Sequence, residues 1–462
     1  MDCGKLFSSC IQKGLEKSGS VPADTSYERW VEGMRRAQHP DRITEEQEKH
    51  LGVEPKNMFE VSQSFPHFDD TNYALSVDNF LRSNSVTVEA VKNMTNWSSK
   101  EKAPQFRTKE TRPGLGRTLP HDVMYFLKMQ AGGQAENRAP LVLKYETEHS
   151  HCCGAFTLTG RSQDQDLLTG IVGAINKWKA ENNIYKGQLV TAAGKFMKRT
   201  STSINDIILN KSARKEVDQY VRKFFQMKGA FEKNGMQHKR GIILEGPPGT
   251  GKTLLGRVLA NEMEDVTFIW GTAKDLSDGM REIFKWAREL TPAVLFLEDI
   301  DFFGMSRPIS ASSYSVDTVK TLRDEGDVSK ASGDDHDMGE LLTQLDGFEG
   351  NDGLLVVATT NHLGALDEAL KNRPGRFDVK ITLSYPDERS RVGLLKLWTK
   401  NLILKNVDKF GLVAKTQGFT PAQIREVVTR AVLHAVDKGL VNDQGIAVVT
   451  QSCFDSVLES WR

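Results

Sequence analysis

This chain of 462 residues has few cysteines, no net charge and no long apolar run. Its five cysteines, an odd number, do not form a disulfide framework, which favours a reducing compartment. Lysines and arginines number 61, as do aspartates and glutamates, so the charge does not indicate a dedicated nucleic-acid binder. No stretch reaches the roughly 18 apolar residues that span a bilayer, and the first residues lack the apolar core of a secretory signal. We therefore expect no transmembrane segment and a cytoplasmic location.

The composition, 39% hydrophobic and 26% charged, is typical of a globular protein. Residues 1–105 are polar with little periodicity, and we predict a partly disordered N-terminal region there, with a short exposed helix from Arg42. Residues 93–116, with their lysines, serines and prolines, predict a linker. An amphipathic stretch over residues 5–17 leaves two interpretations open. It is either a helix that docks on a membrane surface or a partner, or an ordinary packed or frayed helix.

Residues 106–202 predict a small α/β domain, a candidate for the recognition of a client or partner. Its periodicity changes between two and 3.6 residues, as it does where strands and helices alternate. The predicted strands are residues 139–148, residues 152–160 and a pair within residues 185–199 that turns near Gly194, and the predicted helices are residues 120–130 and 164–182.

A cluster of metal-ligand residue types lies in this domain, at His149, His151, Cys152 and Cys153. Their spacing fits no common zinc pattern. Neighbouring residues of a strand also point to opposite faces of the sheet, which separates adjacent ligands. An ordinary strand is therefore favoured over a metal site.

A glycine-rich loop follows an apolar run in residues 241–253, GIILEGPPGTGKT. The spacing G-x-x-x-x-G-K-[ST] is the P-loop pattern, which binds nucleotide phosphates. Glycines let backbone N–H groups turn towards the phosphates, Lys252 places an ammonium against them, and Thr253 supplies a hydroxyl for Mg²⁺. Residues 254–263 have helical spacing, so the positive end of a helix would face the same phosphates. The predicted ATP-binding residues of the loop are Gly246, Pro247, Pro248, Gly249, Thr250, Gly251, Lys252, Thr253 and Leu254.

Two acids directly follow an apolar run in AVLFLEDID, residues 293–301. In a parallel α/β sheet, a buried strand delivers such acids to the edge where ligands bind. One carboxylate must hold Mg²⁺, and the next must polarise the water that attacks the γ-phosphate. Position assigns the metal role to Glu298, together with Thr253, and the water role to Asp299, although the usual order is Asp then Glu. The alternative is a strand that ends in solvated acids.

Three more polar residues complete the predicted site. Asn361 ends the apolar run GLLVVATTN, where it would orient the attacking water, although an Asn at a strand end is alone more often a turn residue. Arg373 and Arg376 bracket a Pro-Gly turn in RPGRFD. They are either solvated or salt-bridged arginines, or arginine fingers that reach the γ-phosphate of a neighbouring subunit. Fingers of this kind require an oligomer.

Strands alternate with helices from residue 203 to residue 386, which predicts a doubly wound parallel sheet. A segment rich in Ser, Asp and Gly, residues 306–338, is predicted to be a mobile insertion. Residues 387–462 predict a small helical domain. The predicted fold class is therefore α/β, with a C-terminal helical lid and an N-terminal α/β domain.

The motifs GPPGTGKT, LFLEDID, ATTN and RPGRFD occur in the order and at the spacing of the AAA+ ATPases, and residues 203–462 resemble that family. The resemblance implies ATP bound between the α/β subdomain and the helical lid, and usually a hexameric ring. The Glu-Asp order, followed by TTNH, is similar to the mitochondrial AAA chaperone that moves the folded Rieske iron–sulfur protein. It is also similar to a group of bacterial and phage proteins with the same core.

The resemblance also implies a role for individual residues. Asn361 corresponds to the first sensor, and Arg373 and Arg376 correspond to the arginine fingers. Asp206, Ile207 and Ile208 correspond to the segment that lines the adenine pocket. The second sensor position corresponds to Ala422, as in members that lack its arginine, and Arg425 lies one helical turn further on.

Threading members of the family carry an aromatic–hydrophobic–glycine pore loop before the acidic strand. Here that interval reads TAKDLSDGMREIF, without an aromatic residue in the loop, and Trp270 and Gly271 belong to the end of a strand. No zinc-protease motif HExxH is present in the chain. We therefore predict a Mg²⁺-dependent ATPase that forms a homo-oligomer, a hexamer by the resemblance, and remodels an unidentified protein client without threading it. Two alternatives stay open: a DNA-associated motor or loader, and a nucleotide-gated scaffold that hydrolyses little ATP.

Overall fold

The computed structural model describes residues 42–83, 85–92, 104–130, 138–150, 153–300, 332–346, 350–362, 364 and 376–461. These residues form an N-terminal unit around an antiparallel sheet, a central unit around a parallel sheet and a C-terminal, mainly helical unit. Three predicted features lie wholly or mostly outside the described residues, namely the amphipathic stretch at residues 5–17, most of the insertion, and Arg373, and residues 93–103 of the predicted linker lie outside them as well. None of the helices in the described part of the chain has the length and apolarity needed to cross a membrane.

The N-terminal unit is an antiparallel sheet with helices on both faces. Its elements are α1 (Arg42–Leu51), β1 (Met58–Pro66), α2 (Asp70–Leu81), β2 (Val86–Lys92), β3 (Gln105–Arg112), β4 (Leu115–Gln130), β5 (Arg138–Ser150), β6 (Cys153–Arg161) and α3 (Gln165–Glu181). The strand order is β1-β6-β5-β4-β2, and β3 pairs with β4. Helices α2 and α3 bury one face in a core that includes Tyr73, Tyr145 and Ile171, and Leu51 of α1 packs on the other face against Phe126. The strands predicted at residues 139–148 and 152–160, and the helix predicted at residues 164–182, are confirmed as β5, β6 and α3.

Three predictions differ from this unit. Residues 105–112 form strand β3 and strand β4 begins at Leu115, so the linker predicted at residues 93–116 is wrong over its second half. Residues 120–130 form part of strand β4 and not a helix, so that prediction is wrong. Side chains of this segment are buried on both faces, Tyr125 and Leu127 on one and Phe126 on the other, and such a continuous apolar run has no alternation that would distinguish it from a helix. The predicted boundary at residue 105 also falls inside the unit, because β1 and β2 belong to the same sheet as β4. Their exposed edges carry many polar residues, which hides the strand pattern in the sequence.

The central unit is a parallel sheet with helices on both faces. Its elements are β7 (Leu189–Thr191), α4 (Lys211–Val217), α5 (Lys228–Lys233), β8 (Arg240–Glu245), α6 (Lys252–Glu262), β9 (Thr267–Thr272), α7 (Ala273–Glu289), β10 (Ala293–Glu298), α8 (Ser332–Asp346), β11 (Leu354–Thr360) and β12 (Val379–Thr382). The strand order is β12-β8-β11-β10-β9-β7, and every pair is parallel. Helices α4 and α6 cover one face, and α7 and α8 cover the other. The predicted doubly wound α/β fold is confirmed.

Strand β7 forms where the sequence predicts a strand pair, but it belongs to the central sheet. Val190 makes an antiparallel bridge to Phe196 around Gly194, which has a φ of 74°. The strand itself pairs with β9 at the edge of the central sheet. An alternating sequence pattern indicates a strand, but it does not indicate which sheet the strand joins. The predicted domain of residues 106–202 therefore includes a strand that the structure places in the central sheet.

The N-terminal unit packs on helix α7 of the central unit. The ring of Phe68 lies 4.8 Å from that of Trp286 in α7. Lys179 near the end of α3 donates hydrogen bonds to Asp69, at 2.8 Å, and to Glu289, the last residue of α7, at 3.0 Å. An aromatic contact and the partly exposed ion pair of Lys179 with Glu289 therefore join the two units at one place.

The C-terminal unit is a small bundle that reaches the P-loop. Its elements are α9 (Glu388–Thr399), β13 (Ile403–Lys405), α10 (Lys409–Lys415), α11 (Pro421–Asp437), β14 (Val448–Thr450) and α12 (Gln451–Glu459). Leu394, Val427 and Phe454 lie in its core. Helix α11 begins with a capping box, in which the Thr420 hydroxyl accepts from the Gln423 N–H and the Gln423 side chain accepts from the Thr420 N–H. This cap fixes the N-terminus of α11 beside the P-loop, which is described next.

Candidate nucleotide-binding site

The predicted P-loop connects β8 to α6 and is shaped by its glycines. Gly246, Gly249 and Gly251 have φ angles of 151°, 82° and 101°, which residues other than glycine rarely adopt. A Cβ atom on Gly246 would lie 2.2 Å from the carbonyl oxygen of Leu383, and one on Gly249 would lie 3.0 Å from the hydroxyl of Thr420. The loop can therefore pass between β12 and the start of α11 only because these positions are glycine.

Lys252 lies inside the loop and is 7% exposed. Its Nζ donates to the carbonyl oxygens of Gly246, at 2.6 Å, and Pro247, at 3.1 Å, and to Oδ1 of Asn361, at 2.8 Å. The ammonium thus stays at the centre of the loop by bonding to oxygen atoms. Phosphate oxygens are stronger acceptors of the same kind, because they are charged.

Thr253 and Glu298 form the predicted metal pair. The Thr253 hydroxyl donates to Oε1 of Glu298 at 2.6 Å. Glu298 is the last residue of β10, which lies next to β11 in the sheet, and Thr253 is in the first turn of α6. Hydroxyl and carboxylate oxygens are the hard ligands that Mg²⁺ prefers. Together with the glycine cradle and the lysine, this donor set fits a magnesium-bound polyphosphate.

Asp299 and Asn361 meet at the ends of β10 and β11. Nδ2 of Asn361 donates to Oδ1 of Asp299 at 3.2 Å. The orientation of this amide is fixed by its partners, since lysine can only donate and a carboxylate can only accept. Asp299 has a φ of 50°, in the left-handed region, and its N–H donates to the Thr359 hydroxyl at 3.0 Å. A bond from the neighbouring strand therefore helps to hold Asp299 in a conformation that few residues other than glycine adopt.

The segment predicted to line the adenine pocket lies between the P-loop and the C-terminal unit. Ile207 reaches within 3.6 Å of a Cβ position on Gly251, and Ile208 reaches within 3.6 Å of one on Gly393 in α9. Asp206 accepts hydrogen bonds from the N–H and hydroxyl of Ser203, which lower the pKa of its carboxyl. Asp206 thus shapes the backbone of the segment, while the two isoleucines face the loop and α9. The role of these residues in binding the base stays a prediction.

The predicted second-sensor position touches the P-loop through its backbone. The N–H of Ala422 donates to the carbonyl oxygen of Gly249 at 3.1 Å. Arg425 lies on the exposed side of α11. The C-terminal unit therefore meets the phosphate loop through the main chain at this position.

Arg376 is held within its own subunit. Its side chain is 4% exposed, and its Nε and Nη2 donate to the two carboxylate oxygens of Asp346, both at 2.8 Å. Asp346 is the last residue of α8. In this conformation the guanidinium stabilises the central unit, and a finger acting on a neighbouring subunit would have to leave Asp346. The finger roles of Arg376 and of Arg373 stay predictions.

The predicted histidine–cysteine cluster brings no ligands together in the described part of the chain. Cys153 opens strand β6 and is half-buried, whereas His151 and Cys152 lie outside the described residues. No group of three or more His, Cys, Asp or Glu side chains there could hold a metal ion.

Two residues at the site were given no role by the sequence. The indole N–H of Trp270 donates to Oε2 of Glu298 at 3.0 Å, and Thr359 bonds to Asp299 as described above. The sequence pattern could have identified Thr359 as a site residue, because it lies two residues before Asn361 and so on the same face of β11. The pattern could not identify Trp270, because its contact with Glu298 depends on the pairing of β9 with β10.

The chain resembles known ATPases over its second half. Residues 242–385 match the family model described as "ATPase family associated with various cellular activities (AAA)". A proteasome-activating nucleotidase of Methanopyrus kandleri is 36% identical over 231 residues, which are 48% of this chain and 49% of the relative. An ATP-dependent zinc metalloprotease FtsH of Marinobacter nauticus is 32% identical over 265 residues, 55% of this chain and 38% of the relative.

The 26S proteasome regulatory subunit 8 homolog B of Arabidopsis thaliana is 34% identical over 250 residues, 52% of this chain and 54% of the relative. The chain thus spans about half the length, or less, of these curated relatives. The matches support the AAA family broadly and do not single out the Rieske-protein group. The segment that matches the AAA family model contains the P-loop, both acids and Asn361, and the cofactors of this site are ATP and Mg²⁺.

Proposed function

We propose that this protein hydrolyses ATP and uses the cycle to remodel a protein partner, as a ring-forming homo-oligomer that does not thread its client through a pore loop. One observation carries the proposal. The side chains proposed to bind phosphate, hold a metal and act on water, Lys252, Glu298 and Asp299, converge around Asn361 at the carboxyl ends of β8, β10 and the strand β11 between them. This is the edge of an open α/β sheet at which ligands bind.

Each residue has one part in the proposed reaction. Lys252 exchanges its carbonyl partners for phosphate oxygens, and Thr253 and Glu298 are the groups that would hold Mg²⁺. The ion, when bound, neutralises charge that develops on the phosphates. Asp299 accepts a proton from the attacking water, and Asn361 orients both Asp299 and the ammonium of Lys252. Asp299 has a left-handed backbone conformation, and its carboxylate accepts a hydrogen bond from Asn361.

A protein client is supported by the relatives. Their names place them with the proteasome or describe an ATP-dependent protease, so each is associated with proteins as substrates or partners. The net charge of zero gives the DNA-associated alternative no comparable support. We further propose that the core is nearest to the Rieske-protein group, on its Glu-Asp order, and that the protein acts in the cytoplasm as a hexamer.

Helix α7 supports a mode of action other than threading. It starts directly after β9, where the Thr272 hydroxyl accepts from the Asp275 N–H and the Asp275 carboxylate accepts from the Thr272 N–H. The helix is interrupted only at Gly279, with φ −173° and ψ 48°. Residues 272–283 contain no aromatic side chain, and Leu276 and Met280 are buried in the core. The interval therefore offers little backbone and no aromatic ring with which to grip a polypeptide.

The same helix offers a route from the nucleotide to the N-terminal unit. Its first residue follows β9, which carries Trp270 beside Glu298, and its last residue, Glu289, bonds to Lys179. A shift of α7 when nucleotide is bound or released would move Lys179 and the sheet behind it. We propose that this movement acts on the client.

The test is the mass of the protein in solution with ADP and with a slowly hydrolysed ATP analogue, beside phosphate release at increasing protein concentration. We expect a ring-sized particle with the analogue, and specific activity that rises with concentration. A monomer that turns over at a constant low rate would instead support the nucleotide-gated scaffold.

Unfolded casein should not raise the ATPase rate, whereas strong stimulation by casein would contradict the non-threading mode. Salt-dependent binding of duplex DNA would support the DNA-associated alternative.

A further inference from the structure

Trp270 contacts the metal pair from the neighbouring strand. Its Nε1–H donates to Oε2 of Glu298 at 3.0 Å, while Oε1 of the same carboxylate accepts from the Thr253 hydroxyl at 2.6 Å. Each oxygen of Glu298 therefore has a donor of its own. The carboxylate is held between the indole of β9 and the hydroxyl of α6.

The position of Trp270 is fixed by packing. The side chain is 8% exposed, and its ring lies 4.5 Å from that of Phe296 and 6.0 Å from that of Phe268. Its carbonyl oxygen accepts from the N–H of Ala192, and β9 lies between β10 and β7 in the sheet. Because the indole is buried, packed against two aromatic rings and carried by a strand with a neighbour on each side, its N–H is held in a fixed position.

Glu298 needs such a partner because of its length. In the usual acidic pair the residue that supports the metal is Asp, and Glu adds one methylene and one rotatable bond. An additional rotatable bond adds side-chain entropy that must be lost when the carboxylate is fixed beside the metal. A rigid N–H donor removes that freedom in advance, as hydrogen bonds from outside the ligand shell do at other metal sites.

We propose that Trp270 is a positioning residue for Mg²⁺, which holds one oxygen of Glu298 so that the other faces Thr253. The inference rests on the proposed Mg²⁺–nucleotide chemistry of the site. It assigns Trp270 no contact with nucleotide or water, and its effect passes through Glu298 alone. It also explains how a site with the acids in the order Glu-Asp keeps a defined metal position.

The test is equilibrium binding of a fluorescent ADP analogue at pH 8, titrated in EDTA and at increasing Mg²⁺. Trp270→Phe keeps the aromatic packing and removes the N–H. We expect the Mg²⁺ concentration that gives half of the affinity gain to rise about tenfold. Affinity in EDTA should stay at the wild-type value, because the phosphate loop is untouched.

Three variants separate positioning from a structural effect. Trp270→His should recover part of the Mg²⁺ response, since its Nε2 superposes on the indole Nε1 when the five-membered rings are overlaid. In a Glu298→Ala background, Trp270→Phe should change nothing further. Trp286→Phe is the matched control, because Trp286 is also buried but its N–H has no hydrogen-bond partner among the described residues. Its Mg²⁺ response should equal that of the wild type.

Each remaining outcome counts against a stated idea. A wild-type Mg²⁺ response in Trp270→Phe overturns the inference and leaves the proposed function intact. Equal losses in EDTA and in Mg²⁺ also overturn it, because they indicate damage to the fold. A wild-type protein whose nucleotide affinity does not depend on Mg²⁺ contradicts the proposed chemistry itself.

Discussion

Lys252 and Asn361 are joined by a hydrogen bond of 2.8 Å from Nζ to Oδ1, between the P-loop and the end of β11. The other end of the same amide donates to Asp299 at 3.2 Å. One side chain therefore connects the group that is proposed to bind phosphate with the group that is proposed to act on water. This link depends on the order of β8, β11 and β10 in the sheet, which makes β11 the strand between the other two.

Asn361→Ala should separate binding from turnover. Lys252 keeps its carbonyl partners, so the affinity for ADP should change by less than about threefold. Asp299 loses the amide that orients it, and turnover should fall about a hundredfold, as it does when a reacting group is misplaced by about 1 Å. Nucleotide titration and phosphate release on the same samples measure both effects. Asn182→Ala, at the exposed end of α3, is the control, and an equal loss of affinity and turnover would contradict the linking role.

Asp299→Asn should keep ATP binding and stop hydrolysis. The amide has the shape of the carboxylate but cannot accept a proton at neutral pH, so turnover should fall by at least about a hundredfold. Lys252→Ala should instead abolish measurable ATP binding, because the ammonium at the centre of the loop is lost. Lys215→Ala, on the exposed side of α4, controls for loss of a lysine. Rapid hydrolysis by the Asp299 variant would assign the water role to another residue.

Much of the central unit could be predicted from the sequence, because its strands are short apolar runs and its ligand-binding residues follow them directly. Ile242, Ile243 and Leu244 of β8 are fully buried and lead straight into the P-loop. The N-terminal unit was harder to predict. Its strands β1 and β2 lie at the edges of the sheet and have many exposed side chains, and β4 is apolar on both faces. None of the three shows a simple alternation of apolar and polar residues in the sequence.

The contacts that join distant segments could not be predicted. The bond of Trp270 to Glu298 requires the register of β9 on β10, and the pairing of Arg376 with Asp346 requires α8 to end beside the loop after β11. The motif RPGRFD predicts a functional role for Arg376, but it does not predict that Asp346 of the same subunit binds this arginine. Both features depend on packing between elements far apart in the chain.

Arg376→Ala should reveal whether the arginine acts across a subunit boundary. The substitution leaves Asp346 without its bidentate partner and should cost about 2 kcal/mol of stability, less than a fully buried pair because the Asp346 side chain is 38% exposed. If Arg376 also acts as a finger, the variant should bind ATP but not hydrolyse it. Mixing it with Lys252→Ala subunits should then restore part of the turnover, at interfaces where an intact loop meets an intact arginine.

Asp346→Asn is the control for the mixing experiment, because it weakens the ion pair and keeps the arginine. It should lose stability but retain turnover. A mixture of Arg376→Ala and Lys252→Ala subunits that stays inactive, while the two variants still assemble together, would contradict a finger role for Arg376.

The stability of the N-terminal unit should depend on pH through Asp69, which pairs with Lys179 inside this unit. Burial raises the pKa of this carboxyl from 3.8 to about 6, although the ammonium of Lys179 lowers it in part. The folded protein therefore binds the proton more tightly than the unfolded chain does. The stability contributed by this protonation is present below about pH 4 and is lost as the pH rises through about 6, by up to about 3 kcal/mol.

Asp69→Asn removes this titration and keeps the shape of the side chain, which is 2% exposed. The difference in the free energy of unfolding between variant and wild type should therefore move in favour of the variant as the pH rises from 4 to 7. The substitution also leaves Lys179 with Glu289 as its only carboxylate partner. If this loss costs stability equally at every pH, it shifts the difference by a constant and does not change its slope with pH. Urea unfolding at several pH values, followed by a fluorescence signal that reports the N-terminal unit, measures the difference. Asp166→Asn, on the exposed side of α3, controls for the loss of a carboxylate at the surface. A difference for Asp69→Asn that does not change with pH would contradict the raised pKa of Asp69.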